Sequence, residues 1–415
     1  MQEPKIVKKE WGSEKWLVNR DYCGKILILN KGFQCSLHHH KIKDETFYIS
    51  KGKVLLELDG EKHLLLPGDY KLVMPGQKHR FTGVEDSEII EFSTHHEESD
   101  SYRDEPSRKV DQNTLPSETL TCLVTGGAGF IGSNLALELE RLGHNVTIID
   151  NFLSGSRENL SGFKGELIES DICESITFKK KFDVIFHEAA ITDPRYGDYS
   201  ETLRQNLSGF SNVLKLAKEH KAKLIYASTA NLYGNGPNPM KEDQPKEIIS
   251  AYGLSKLMMD EMASHHFNEM HIVGLRYFNV FGPNEAHKGR PASMIYHLAK
   301  SMREGIPPKL FSPGDQKRDH IYVADVVAAN LKALSAPSGI YNVGTGIATS
   351  FNELVTFLNS ALGKNLKIEY IPMPYDSKTY QVHTLADTNR AKTLLGFQSK
   401  YGLKEGIDDY LGKLK

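Results

Sequence analysis

One change of pattern decides what this chain can fold into. From residue 24 to residue 94 the apolar residues come as short runs, "KILILN", "TFYIS", "KVLLEL", "KLVMP" and "SEIIEFS", divided by turn signals such as "LDGEK", "LPGD" and "MPGQKH". Many short strands at close spacing specify a sandwich or small barrel. From Thr119 continuous apolar runs alternate with helical stretches: "LTCLVTG", "SNLALELERLG", "NVTIID", then "FDVIFHEAA", "FSNVLKLAKEH" and "AKLIYAST". That alternation specifies a parallel sheet covered on both faces. Between them lies "HHEESDSYRDEPSRKVDQNTLPSE", polar and without periodicity, the composition of a linker. At 415 residues the chain also exceeds one ordinary core. The expectation is a multidomain chain: an all-β sandwich or small barrel over 1–99, a linker over 100–119 and an α/β domain over 120–415.

Charge and composition exclude several classes. The net charge is -2, so nothing draws the chain as a whole to nucleic acid or to an acidic membrane. No apolar run reaches about 18 residues, which argues against a spanning helix. The opening "MQEPKIVKKEWGSEKW" lacks the apolar core of a signal peptide. Cys23, Cys35, Cys122 and Cys173 are scattered without C-x-x-C pairing, the usage of a reduced, cytoplasmic protein.

Three consecutive histidines stand out in "GFQCSLHHHKIKDETFYISKG", Gly32–Gly52. On a strand His38 and His40 face one way and His39 the other. Glu45 follows, and His79 comes later in "PGQKH" after Pro75 and Gly76. Polar residues on a solvated hairpin would account for a lone His-x-His. The full spacing resembles the two sequence motifs of the cupin family, and most of all its mannose-6-phosphate-isomerase-like group. That resemblance implies that His38, His40, Glu45 and His79 converge on a divalent metal inside a small β-barrel. Three imidazoles and a carboxylate suit Zn, Mn, Fe or Ni. It leaves open whether such a barrel isomerises a sugar or only binds one.

The second motif is "LTCLVTGGAGFIGSNLALELERLG", a strand, a glycine turn and a helix, with Gly126, Gly129 and Gly132 spaced G-x-x-G-x-x-G. Such a turn lets backbone N–H groups approach a pyrophosphate at a helix N-terminus. Asp150 ends the next strand, where an acid binds the ribose hydroxyls of NAD. Arg157 close behind leaves NADP open. The spacing and "TGGAGFIG" resemble the extended short-chain dehydrogenase/reductase family over nearly all of 120–413. The resemblance implies a Rossmann domain with a small C-terminal substrate-binding subdomain. Its cofactor would be held by Gly126, Gly129, Phe130, Ile131, Gly132, Asp150, Asn151, Asp171, Ile172, Ala189 and Asn206. It also implies a catalytic Thr229 and the pair Tyr252 and Lys256 in "AYGLSK". A phenol of pKa about 10 is a poor base, and a lysine one turn away together with a positive nicotinamide favours the phenolate.

The two positions after Thr229 narrow the reaction. Dehydratases of this family carry an Asp-Glu pair there, whereas this chain has Ala230 and Asn231. The stretches "LRYFNVFGPNEAHKGRPAS", "QKRDHIYVADV" and "YQVHTLADTNRAKTLLGF" resemble the ADP-L-glycero-D-manno-heptose 6-epimerase family. By that resemblance Tyr252 and Lys288 act on opposite faces of the sugar, and Asn279, His287, Arg318, Tyr341 and Tyr380 line a nucleotide-sugar pocket. A phosphate-binding or solvent-facing Lys288 is the plainer alternative. A nucleotide-hexose 4-epimerase or a nucleotide-sugar oxidoreductase remains open as the activity. Members of this type pair as homodimers through the helix of Tyr252 and the one around Leu203–His220.

Overall fold

Period-two alternation builds the first unit. The computed structural model describes residues 4–111, 119–192, 199–374 and 380–414, and the chain divides into two units between Thr119 and Leu120. The first contains β1 (Lys5–Lys9), β2 (Gly12–Asn19), β3 (Tyr22–Leu29), β4 (Phe33–Gln34), β5 (Leu37–His39), β6 (Glu45–Lys51) and β7 (Val54–Leu58). It continues with β8 (Glu61–Leu65), β9 (Tyr70–Val73), β10 (His79–Gly83), β11 (Ser87–Thr94), β12 (Tyr102–Glu105) and β13 (Arg108–Lys109). One sheet runs β1-β2-β3-β11-β6-β9; the other runs β12-β5-β10-β4-β13, with β7 and β8 extending from β10. On β3, Leu27 and Leu29 are buried while Ile28 is exposed. Such inward residues, with Phe47, Ile49, Leu56, Phe81 and Ile89, make the barrel core.

The barrel does not stop at residue 99. The expected linker supplies β12 and β13, with Tyr102 opposite His39 and Arg108 opposite Gln34. All six of their side chains are exposed, so these strands carry no apolar pattern and are held by backbone pairing at the sheet's two ends. Residues 112–118 of that stretch lie outside the described residues.

The second unit alternates strand and helix. Its strands are β14 (Thr121–Thr125), β15 (Asn145–Asp150), β16 (Glu166–Glu169), β17 (Val184–His187), β18 (Lys223–Thr229), β19 (Ile272–Tyr277), β20 (Asn279–Phe281), β21 (Lys309–Phe311), β22 (Lys317–Tyr322), β23 (Gly339–Val343), β24 (Ala348–Ser350) and β25 (Glu369–Ile371). The helices are α1 (Phe130–Arg141), α2 (Tyr199–His220), α3 (Ala251–Ser264), α4 (Met294–Arg303), α5 (Val323–Ala333), α6 (Phe351–Leu362) and α7 (Leu403–Lys413). Seven parallel strands lie in the order β16-β15-β14-β17-β18-β19-β23. Every residue of β17 and β19 is buried, as a sheet covered on both faces requires. The strand order reverses at β14, and in open α/β sheets the crevice beyond the carboxyl end of such a strand receives ligands. After β19 the chain also forms a smaller layer. There β20-β22-β24, β21-β25, α4, α6 and α7 enclose a core that includes Ile295, Leu298, Met302, Leu354 and Tyr410. No helix among the described residues is long and apolar enough to cross a membrane.

Candidate metal centre and dinucleotide cleft

In the barrel, pairing of β5 with β10 sets His38 directly opposite His79. The rings of His38 and His79 lie 4.4 Å apart, and those of His38 and His40 lie 5.2 Å apart. Ligand atoms of His38, His40 and His79 all fall within 4.8 Å of one another. Each ring uses Nδ1 on a backbone carbonyl: His38 on Ser36 at 2.9 Å, His40 on Asp100 at 2.8 Å and His79 on Gln77 at 3.2 Å. A carbonyl only accepts, so Nδ1 carries the hydrogen and Nε2 keeps its lone pair, the arrangement of metal-binding histidines. Burial, and then the neighbouring His79, push His38 down to about 4, and burial lowers His40; neutral rings are the ones that ligate.

Glu45, at the start of β6, has Oε2 3.2 Å from His79 Nε2. Both atoms are buried, and apart from each other neither has a hydrogen-bond partner among the described residues. Two lone pairs facing each other out of water are costly, and a cation between them removes the cost. The donor set therefore fits a divalent metal. The other oxygen, Oε1, accepts from Lys43 Nζ at 2.5 Å; Lys43 also donates to Glu91 at 2.6 Å, and Lys25 Nζ lies 3.6 Å from Glu91. Lys25 and Glu91 hold inward positions of β3 and β11, and charges at core positions of an alternating strand are the signal that marks them. His39 points the other way and stacks on Tyr102. The cavity over the histidines measures about 490 Å³.

The second site lies at the carboxyl end of β14. A Cβ on Gly126 would come 2.6 Å from the Ala189 backbone, and one on Gly132 would come 2.2 Å from the Gly126 carbonyl. Only glycine lets α1 start this close to the neighbouring chain. The turn is braced by Asp150, which accepts from Ala128 N at 2.9 Å and Phe152 N at 2.8 Å. A cleft of about 320 Å³ is lined by Gly126, Gly129, Phe130, Ile131, Gly132, Asp150, Asn151, Asp171, Ile172, Ala189 and Asn206. A glycine turn, a helix N-terminus and an acid at one crevice fit a dinucleotide. Asn206 is also structural: it bonds Ile191 N, Ile191 O and Ser255 Oγ. Arg157 is exposed and paired with Glu169.

Thr229 ends β18 and shares a hydrogen bond with Tyr252, which stands in the first turn of α3. Burial, and then the charge of Glu188, push Tyr252 up to about 12 against that bond. Lys256 does not pull it down, because its ammonium is turned to the Ala227 carbonyl at 2.8 Å. Burial pushes Lys256 itself down to about 8, opposed by Glu188 and Asp260.

Glu188 lines the cleft. Its Oε1 accepts from the Tyr277 hydroxyl at 2.9 Å, while Oε2 is buried without a hydrogen-bond partner among the described residues. Burial raises it to about 7, against the Tyr277 bond and Lys256. The sequence offers the stretch "HEAA", His187–Ala190, as the strand-end loop beside the cofactor, but does not mark Glu188 itself as a titrating group.

Of the expected substrate residues, His287 and Lys288 line the dinucleotide cleft. Lys288 Nζ stands 5.5 Å over the Phe130 ring, and His287 Nδ1 accepts from Asn159 at 2.9 Å. Asn279, Arg318 and Tyr380 gather in the smaller layer instead. Asn279 accepts from the Thr384 hydroxyl at 2.9 Å, and Arg318 donates to the carbonyls of Lys317 and Val382 with its guanidinium 5.3 Å from the Tyr380 ring. Tyr341 joins neither group. It is buried in the main core and donates to the Pro337 carbonyl at 2.8 Å. It sits mid-strand on β23, whereas Asp150 and Thr229 stand where their strands end at the crevice.

Residues 122–344 match the NAD dependent epimerase/dehydratase family, and residues 25–93 match the cupin domain. An ADP-L-glycero-D-manno-heptose-6-epimerase of Brachyspira hyodysenteriae is 37% identical over 306 residues, covering 69% of this chain and 96% of that protein. The solved ADP-L-glycero-D-manno-heptose-6-epimerase of Helicobacter pylori superposes with a TM-score of 0.68 at 40% identity, over 72% of this chain and 98% of the other. A UDP-glucose 4-epimerase of Thermus thermophilus solved with NAD gives 0.62 at 29% identity, over 71% and 98%. In each case the smaller share of this chain reflects the barrel that precedes the shared domain.

Proposed function

The chain belongs to the NAD dependent epimerase/dehydratase family, and from that premise we propose that it inverts carbon 6 of an ADP-linked heptose, using NAD held in the cleft. The observation that carries the reading is that Lys288 lines the same cleft as the glycine turn, while Tyr252 and Lys256 sense the charge of Glu188 on its wall. Inversion needs a hydride to leave one face and return to the other, so two proton-transfer groups must address one carbon. NAD held by the glycine turn and Asp150 would supply the hydride acceptor and donor that inversion requires. Thr229 orients the sugar hydroxyl and Tyr252 takes its proton as the carbonyl forms. Once the ketone presents its other face, Lys288 exchanges the proton there. Lys256 is held by the Ala227 carbonyl, so the positive charge that favours the Tyr252 phenolate would come from the bound nicotinamide, and Asp150 receives ribose hydroxyls. The pairing of Arg157 with Glu169 favours NAD over NADP.

The barrel, in this reading, binds a divalent metal, Zn, Mn, Fe or Ni, on His38, His40, His79 and Glu45, and isomerises or binds a sugar of the same pathway. Held there, such a metal would supply Lewis-acid polarisation of a carbonyl. Likeness to a UDP-glucose 4-epimerase supports nucleotide-hexose 4-epimerisation as the second reading, with a non-catalytic barrel. A cytoplasmic homodimer closing through α2 and α3 completes the proposal, with the four cysteines free.

Proton NMR of the purified chain with ADP-D-glycero-D-manno-heptose tests the main reading. Conversion at carbon 6 without added cofactor is expected. No conversion by protein shown to contain NAD would sink 6-epimerisation of this sugar.

A further inference from the structure

Asp100 lies beyond the residues that match the cupin domain, in a stretch whose composition reads as linker. It closes a single 3-10 turn, Glu98–Asp100, and is buried. Its carboxylate gathers three successive backbone N–H groups: Lys41 at 3.0 Å on Oδ1, then Ile42 at 3.1 Å and Lys43 at 3.0 Å on Oδ2. These three residues open the loop that joins His40 to Glu45. The carbonyl of Asp100 accepts from His40 Nδ1 at 2.8 Å. One residue therefore grips the ligand loop by its backbone and the ligand ring by its far nitrogen.

The other two rings are served locally. His38 uses the carbonyl of Ser36 and His79 that of Gln77, each two residues back. His40 takes its carbonyl from 60 positions away. After Asp100 the chain runs on as β12, antiparallel to β5, with Arg103 opposite His38. The segment is thus registered along the histidine strand and is not merely near it.

We infer that Asp100 is a positioning residue of the metal centre. It fixes His40 in the tautomer that offers Nε2 to the ion and sets the span between His40 and Glu45. The inference rests on the metal reading of the barrel given above. Outer partners of metal-binding histidines are worth about 10- to 100-fold in affinity.

The test uses the full chain stripped of metal, as wild type, Asp100→Ala and Asp100→Asn. Zinc affinity is read by calorimetry, the His40 tautomer by ¹⁵N NMR of the stripped protein, and folding by circular dichroism. The expected result is about a 10- to 100-fold loss for Asp100→Ala, a smaller loss for Asp100→Asn, which keeps an acceptor, and a His40 that becomes a mixture of forms in Asp100→Ala, because the main-chain carbonyl is still present but no longer held in place by the carboxylate's three bonds to the loop. Folded variants that bind zinc as the wild type does, with the tautomer unchanged, overturn the inference. A wild type that takes up no zinc overturns the metal reading itself, which separates the two failures. Should Asp100→Ala not fold, the wild-type tautomer decides alone: a His40 protonated on Nε2 overturns the inference.

Discussion

In the barrel, Lys25, Lys43, Glu45 and Glu91 are each at most 3% exposed and neutralise one another. Burial works against the ammonium of Lys43, yet Glu91 and Glu45 together hold it above its ordinary value; Lys43 and Lys25 likewise hold Glu91 below its own. The cleft of the larger unit does the reverse. Burial outweighs the neighbours there, bringing Glu188 to about 7, Lys256 to about 8 and Tyr252 to about 12. Charge is locked in the first site and negotiable in the second. Locked charge suits the holding of an ion and a fixed geometry; Glu188 and Lys256, brought near neutrality, suit proton transfer, whereas Tyr252 is moved away from it and needs a positive charge beside it to act as a base.

Four substitutions would break or sharpen this contrast. The largest effect is expected in the cleft, on rate. Tyr252→Phe and Lys288→Ala each remove one proton-transfer group, worth about 10²- to 10⁴-fold in kcat, read by the NMR conversion assay with cofactor content unchanged. A loss below tenfold for Lys288→Ala would leave it a substrate anchor. Next comes the barrel, on stability. Glu91→Ala takes away the carboxylate facing Lys25 and leaves Lys43 on Glu45 alone, and should cost about 3–5 kcal/mol, read as a lowered unfolding transition of the barrel in calorimetry.

The smallest effect has an unusual sign. The folded chain holds Glu188 at about 7, above its ordinary 4.5. Folding therefore favours its protonated form; that contribution is complete below about pH 4.5 and is lost as pH rises through 7. A neutral amide at this position would suffer no such loss, so Glu188→Gln should be more stable than wild type at pH 8 by at most about 3 kcal/mol. The gain should vanish near pH 4. Melting at the two pH values checks this, and equal gains at both would place the effect in packing.

How much of this was legible in the sequence depends on where the partners lie along the chain. Both folds were legible, because a barrel and a parallel sheet impose opposite apolar rhythms on either side of Thr119. The glycine turn and the His38–His40–Glu45 spacing were legible because local backbone geometry dictates them. The Lys43–Glu91 pair, 48 positions apart, and the Asp100–His40 bond, 60 apart, arise only when strands register. β12 and β13 escaped notice because backbone pairing leaves no trace in exposed side chains. Tyr341 misled for a different reason: resemblance gives a residue type but not its place along a strand, and mid-strand positions feed the core.

Those two unobtrusive strands bear on how the barrel can be handled in isolation. A fragment ended after β11, where the polar composition begins, would uncover the outer edges of β5 and β4. Bare edges recruit strands from other molecules, so such a fragment would be prone to cross-β aggregation. The last residue of a self-sufficient barrel is Lys109 or later.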